Sequence, residues 1–275
     1  MSQTYTPLLS LSDAHLIEAV SDNFAEEMAC FGRVLPSAEL HENEELLWFA
    51  VSPTFNGVLR SRFASDDSGS IVRHIKTMIA YYKKRHATSF SWTIDLASQP
   101  KNLGQHLEVH GFERVHADTI MALSLPERVS DLRTCPDLEI REVQSNLELK
   151  LLCEIERIGF DTPTSSIKRY YEMYRRSGFG PSYSWRHFLG YQQGQAVAST
   201  SLQLYAGVVG IFGVATLPQA RNQGIAASMM LHILDKAEEL GYRVSSLSPT
   251  EQSERLYQRI GFRTLGQTYY YRWSV

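Results

Sequence analysis

Apolar Leu151, Leu152, Ile155 and Ile158 recur at helical spacing, which predicts a helix over 147–158 that stops at Gly159. Before it, 138–143 reads as a short strand; after it, 167–175 reads as a second helix carrying Tyr170, Tyr171 and Tyr174. Strands are expected over 184–191, 196–205 and 208–215, separated by Gln193-Gly194-Gln195 and by Ala206-Gly207. Turns this short require an antiparallel meander. A helix over 225–240 follows, with Ala226, Met230, Ile233, Ala237 and Leu240 on one face, then strands over 243–247 and 268–273. The first half holds a similar series: a helix over 71–85 and strands over 89–94 and 119–125. Its Leu107-Glu108-Val109-His110-Gly111-Phe112 resembles Tyr257-Gln258-Arg259-Ile260-Gly261-Phe262, an offset of 150 positions. The pattern implies an α/β (α+β) protein built from two copies of one unit, the first eroded. Between them, 126–137 contains Pro126, Pro136 and many polar residues and is expected to be a linker, giving domains over 1–125 and 138–275.

A length of 275 residues suits two modest domains, and 43% hydrophobic with 21% charged residues excludes a disordered or fibrous chain. The formal charge of -3 supplies no global attraction to nucleic acid or to an anionic membrane. Cys30, Cys135 and Cys153 are odd in number and widely spaced, so neither a disulfide framework nor a zinc site is expected, and a reducing cytoplasm fits. The first twenty residues carry Asp13 and Glu18 without a basic leader, and no apolar run reaches the roughly 20 residues of a membrane span. Neither secretion nor membrane insertion is expected.

The chemistry concentrates where the strand over 208–215 enters a turn, Thr216-Leu217-Pro218-Gln219-Ala220-Arg221-Asn222-Gln223-Gly224, and the helix begins at Ile225. Amides at a helix start lack intrahelical acceptors and the helix dipole adds positive charge, so a phosphate suits this position. Gly224 admits a close approach of the backbone, and Ala226 keeps the next turn small. The local pattern equally fits an ordinary turn glycine beside a solvated Arg221. A nucleotide-binding domain is disfavoured, since neither G-x-x-x-x-G-K-[ST] nor G-x-G-x-x-G occurs.

Arg221-Asn222-Gln223-Gly224-Ile225-Ala226 matches Q/R-x-x-G-x-G/A, and Ser253 to Phe262 looks like a short helix bearing a tyrosine before Gly-Phe. In this order and context, the two resemble the hallmarks of the GCN5-related N-acetyltransferases (GNAT). The resemblance is good over 138–275 and faint over 1–125. It implies two GNAT-like domains, each a mixed, mostly antiparallel sheet flanked by helices, the first non-catalytic, with a splayed pair of parallel strands in the second. It further implies acetyl-CoA (coenzyme A) as co-substrate, with no metal, held by Gly213, Val214 and Thr216 along the pantetheine arm and by the amides of Arg221, Asn222, Gln223, Gly224, Ile225 and Ala226 at the pyrophosphate.

By the same resemblance Tyr257 is the acid that protonates the leaving thiolate, although its ring also fits ordinary core packing under Gly261-Phe262. A Val214 amide would polarise the thioester carbonyl. No base stands out among Glu156, Asp161, His187 and Glu251; ordered water held by Ser246 or Ser248 is an alternative relay. Phe160, Asp161, Tyr170 and Tyr174 combine aromatics with a carboxylate and suit an amine or amino-acid-like acceptor, while Tyr170 and Tyr174, four apart on one helix face, fit core packing better. The implied activity is acetyl transfer to a primary amine by direct attack on the thioester, in a cytoplasmic monomer or homodimer without nucleic-acid or membrane partners. The alternative is a non-catalytic acyl-CoA sensor or interaction module.

Overall fold

The computed structural model describes residues 6–275; the first five, part of the stretch expected to hold no leader, lie outside the described residues. In chain order the elements are α1 (Leu16–Val34), β1 (Glu39–Glu42), β2 (Leu46–Ser52), β3 (Phe55–Ser61), α2 (Ser68–Lys84), β4 (Ser89–Ile94), α3 (Leu103–Val109) and β5 (Glu113–Ser124). They continue with β6 (Glu139–Glu142), α4 (Asn146–Gly159), α5 (Thr164–Ser177), β7 (Trp185–Gln192), β8 (Gln195–Tyr205), β9 (Val208–Thr216), α6 (Ile225–Glu239), β10 (Val244–Leu247), α7 (Glu254–Ile260) and β11 (Arg263–Ser274). No helix among the described residues is long and apolar enough to cross a membrane.

Two compact units result, one of Met1–Asn23 with Ile120–Leu265, the other of Phe24–Thr119 with Gly266–Val275. In the larger unit the strand order is β5-β10-β9-β8-β7-β6, antiparallel throughout except for β9 and β10, which run parallel. The smaller unit has the order β1-β2-β3-β4-β11, with β3 and β4 as its parallel pair. Both sheets are therefore mixed and mostly antiparallel. Each unit also repeats the series strand, helix, parallel strand, short helix, which is the repeat read from the two Gly-Phe pairs.

The partition differs from the consecutive segments 1–125 and 138–275 because the end of each repeat's closing strand, from Ile120 in β5 and from Gly266 in β11, lies in the other unit. Met121 to Ser124 of β5 pair antiparallel with Leu247 to Val244 of β10, and Tyr269 to Ser274 of β11 pair antiparallel with Ile94 to Ser89 of β4. The expected linker is also part of the larger unit: Cys135 is buried in its core and Leu132 packs against it. Polarity and prolines marked this segment as a loop, but these two apolar side chains hold it to the surface it crosses.

In the larger unit α6 covers one sheet face, where Leu202, Ile211 and Leu247 pack with Met230, Ile233 and Ala237. Helices α4 and α5 belong to the other face: α4 packs across β7, β8 and β9, and Tyr174 of α5 contacts Trp185 of β7. Helix α4 begins at Ser145, whose hydroxyl oxygen accepts from the Glu148 amide at 3.2 Å while Glu148 Oε2 accepts from Gln144 N–H and Ser145 Oγ at 2.9 Å. Gly159 is its last residue rather than its stop. A Cβ there would come 2.7 Å from Ala215 Cβ, so close packing of the helix end on β9 accounts for the glycine. In the smaller unit, Ile71, Ile75, Met78 and Tyr82 form the buried stripe of α2 and pack with Phe90, Trp92, Leu107, Tyr271 and Trp273.

Candidate active site

The parallel pair in the larger unit separates part-way along its length. Ser245, Ser246 and Leu247 pair with Val209, Gly210 and Ile211, after which β10 ends while β9 continues to Thr216. From Phe212 to Thr216, β9 thus runs beyond β10 with β8 as its paired strand. Within this stretch the β8 register shifts between Ser199 and Ser201, leaving Gly213 and Val214 as a bulge, and Gly213 takes φ +61°. An added Cβ at Gly213 would collide with the Glu156 carboxylate, which projects from α4 onto the bulge and is buried. Val214 is half-buried against the core. The expected cofactor residues Gly213, Val214 and Thr216 therefore lie along one open strand edge.

Past Thr216, a 3-10 turn at Pro218–Ala220 leads into the start of α6. Asn222 and Gly224 both take positive φ, +62° and +81°, and Gly224 caps α6 without any side-chain cap. Among the described residues, no acceptor is found for the amides of Asn222, Gln223, Gly224, Ile225, Ala226 and Ala227. Such a run of donors at a helix start, with no carboxylate capping it, suits an anion. Ile225 itself is buried in the core, so only its backbone faces outward, and Gln223 Oε1 accepts from Gln192 Nε2 at 3.0 Å.

Two details differ from the sequence reading. The Arg221 guanidinium is not merely solvated but spent on the chain: Nε donates to Thr216 O at 3.1 Å and a terminal nitrogen to Gly159 O at 3.2 Å, tying the end of β9 to the end of α4. At Gly224 the space a side chain would fill is held by backbone, with Thr134 C at 2.7 Å and Arg133 O at 2.8 Å. The glycine answers to that crossing segment and to its φ, whatever lies on the outer face of the turn.

Tyr257 is 4% exposed in the core of the larger unit, its ring 5.8 Å from that of Phe262. Its hydroxyl hydrogen-bonds Ser253, and burial pushes its pKa up to about 12, so it stays a phenol at any working pH. Of the four groups weighed as base, Asp161 and Glu251 are exposed, and His187 is wholly buried with its pKa lowered to about 3 by desolvation, hence neutral. Glu156 alone is brought to the bulge. Tyr174 is buried against Trp185 and His187, Tyr170 is half-buried 5.9 Å from Tyr174, and Phe160 and Asp161 lie exposed on the α4–α5 loop. Asn23 and Trp185 also line the face of the sheet near this site, and a lone asparagine in a helix and a strand tryptophan carry no motif in the sequence.

The corresponding places in the smaller unit are closed. Asp67 caps α2, its carboxylate accepting from Ser70 N–H at 2.9 Å. Beyond the β3–β4 pairing, Gln99 bonds the continuing strand, its amide to Ser61 O at 3.0 Å and its carbonyl from Phe63 N–H at 3.3 Å. Leu107 stands at the repeat position of Tyr257 and is buried.

Residues 152–262 match the Acetyltransferase (GNAT) family. The matched stretch holds both hallmarks, at Gly224 and at Tyr257. No curated protein matches the chain. Among solved structures, the GCN5-related N-acetyltransferase from Kribbella flavida is 17% identical with a TM-score of 0.69, covering 92% of this chain and 95% of its own. One from Sphaerobacter thermophilus is 18% identical with a TM-score of 0.61, covering 86% and 76%. A tandem GNAT protein from the clavulanic acid biosynthesis pathway, 13% identical with a TM-score of 0.62, covers 98% of each. At these identities the likeness is one of fold, and it extends over both repeats.

Proposed function

We propose that this chain is an acetyl-CoA-dependent N-acetyltransferase that acetylates a primary amine of a small molecule by direct attack on the thioester, with one active site, in the larger unit. The observation that carries the reading is the open edge of β9 beyond Ile211 leading directly to six amides without acceptors. The edge suits the amides of a pantetheine arm and the turn suits a pyrophosphate. Gly213, Val214 and Thr216 are assigned to the arm, and the amides of Asn222 to Ala226 to the phosphates, with Arg221 bracing the turn instead of binding.

Glu156 holds and deprotonates the amine beside the bulge, a Val214 amide steadies the carbonyl oxygen as it gains charge, and the Tyr257 phenol gives its proton to the leaving sulfur. No metal is required, since the thioester is already activated. Phe160, Asp161, Tyr170 and Tyr174 are assigned to the acceptor side. The closed features of the smaller unit support a non-catalytic role for it. Thiol release from acetyl-CoA with a panel of primary amines tests the reading. Amine-dependent release is expected; tight acetyl-CoA binding with no release from any amine would instead make the chain a sensor.

A further inference from the structure

The two sheet faces of the larger unit differ in chemistry. Against α6 the faces of β8, β9 and β10 present Leu202, Ile211 and Leu247. On the opposite face, register aligns Trp185, Gln203, Gly210 and Ser246 in one row across four strands, with His187, Ser201 and Phe212 in the next. The polar members of both rows, and Trp185, are fully buried.

Four polar atoms here have no hydrogen-bond partner among the described residues: Asn23 Oδ1, Ser246 Oγ, Trp185 Nε1 and His187 Nε2. Asn23 reaches the row from α1. Its amide nitrogen donates to the carbonyls of Gln203, Tyr205 and Val208, which fixes the carboxamide orientation, and it fills the space a side chain at Gly210 would need. His187 Nδ1 is engaged with Ser201 Oγ at 2.7 Å, so Nε2 is left to donate or accept according to the tautomer. Buried polar atoms are nearly always satisfied in a working protein, and unsatisfied ones gather where a ligand or water belongs. Ser246 is one residue from the point where β9 and β10 part. The row thus runs from the last paired residues of β9 and β10 to an aromatic cluster of Trp185, Phe212 and Tyr174.

We propose that this row is the acceptor subsite and that it takes an uncharged, hydrogen-bonding part of the amine, carrying hydroxyl or carboxamide groups. The proposal rests on the acetyl-transfer reading for what happens to the amine, but not for the binding itself. The four atoms offer one fixed donor, one fixed acceptor and two groups that do either, which matches hydroxyls and amides and supplies no countercharge to a buried carboxylate or second ammonium. Glu156, on α4 at the adjoining bulge, faces the single reacting amine in this arrangement.

The test uses the full chain saturated with coenzyme A, titrated calorimetrically with serinol, glucosamine and glycinamide as neutral polar probes. Butylamine, glutamate and spermidine represent apolar, acidic and polycationic amines. Neutral polar probes should bind at least about tenfold more tightly than the others. Ser246→Ala and Trp185→Phe, each deleting one hydrogen-bonding group, should weaken only the neutral probes, by about three- to tenfold, and leave acetyl-CoA affinity unchanged. A preference for an apolar or charged probe, equal weakening of all probes, or no binding of neutral ones would overturn the proposal and leave the four atoms to buried water. Acetylation of charged amines without that preference would refute the subsite while upholding acetyl transfer; neutral probes that bind in the expected order without thiol release would do the reverse.

Discussion

Replacing Gly224 by alanine should damage stability as well as cofactor affinity, and Gly241 supplies the control that separates the causes. Both glycines have positive φ, +81° and +88°, and both lie in the larger unit, but a Cβ at Gly241 meets nothing within 4 Å. Gly241→Ala therefore reports conformational strain alone, about 1–2 kcal/mol for an L-residue in this region. At Gly224 the new carbon would sit 2.7 Å from Thr134 C, 2.8 Å from Arg133 O and 2.9 Å from Thr134 O, all of them backbone. The crossing segment cannot swing away freely, because Cys135 N–H donates to Ser228 Oγ at 2.8 Å and Cys135 is buried in the core. Overpacking of this kind adds about 1–3 kcal/mol, for a total of about 2–5 kcal/mol. Urea unfolding of both variants, paired with acetyl-CoA calorimetry, measures the two effects. Gly224→Ala should lose about 1–3 kcal/mol more than Gly241→Ala and bind acetyl-CoA more weakly. Equal midpoints for the two variants would refute the packing argument and return Gly224 to a purely cofactor-facing role.

Tyr257→Phe should lower kcat by about 10²- to 10⁴-fold with acetyl-CoA affinity nearly unchanged, and steady-state kinetics within twofold of wild type would remove the hydroxyl from the mechanism. His187, held neutral by burial with a pKa of about 3, stabilises the fold fully above its unfolded value near 6.5 and loses that contribution as pH falls through the window down to about 3. The loss is on the order of 5 kcal/mol at most, and urea midpoints across that range should fall less steeply in His187→Gln than in wild type. A fragment of residues 138–275 should fail to give a cooperative unfolding transition, since β10 loses the strand ending at Ser124 and Tyr269 to Ser274 lose β4. A sharp transition from that fragment would show that the exchanged strands are dispensable.

The elements around the site were legible because tight turns and regular apolar spacing fix them locally. The meander of β7, β8 and β9, the helix after Gly224 and the short helix before Gly261-Phe262 all follow from patterns within a few residues. What pairs with β5 and β11 does not. Two strands of similar composition, each following a Gly-Phe pair, carry no local mark of which parallel pair they will close, so the exchange of closing strands shows only in three dimensions. The same holds for Asn23: one polar residue in α1 reads as a solvated position, yet it is fully buried and bonded to three carbonyls some 180 residues away. Gly159, Arg221 and Gly224 are instructive in another way. Each position was read as important, and each is engaged by a neighbouring backbone or strand that sequence spacing could not supply.

The proposed mechanism has one cofactor position per chain, at the edge of β9 and the uncapped start of α6. Calorimetric titration of the full chain with acetyl-CoA counts such positions. One equivalent is expected, because in the smaller unit Asp67 occupies the helix start, Gln99 bonds the continuing strand and Leu107 replaces the tyrosine. Two equivalents, or none, would contradict it.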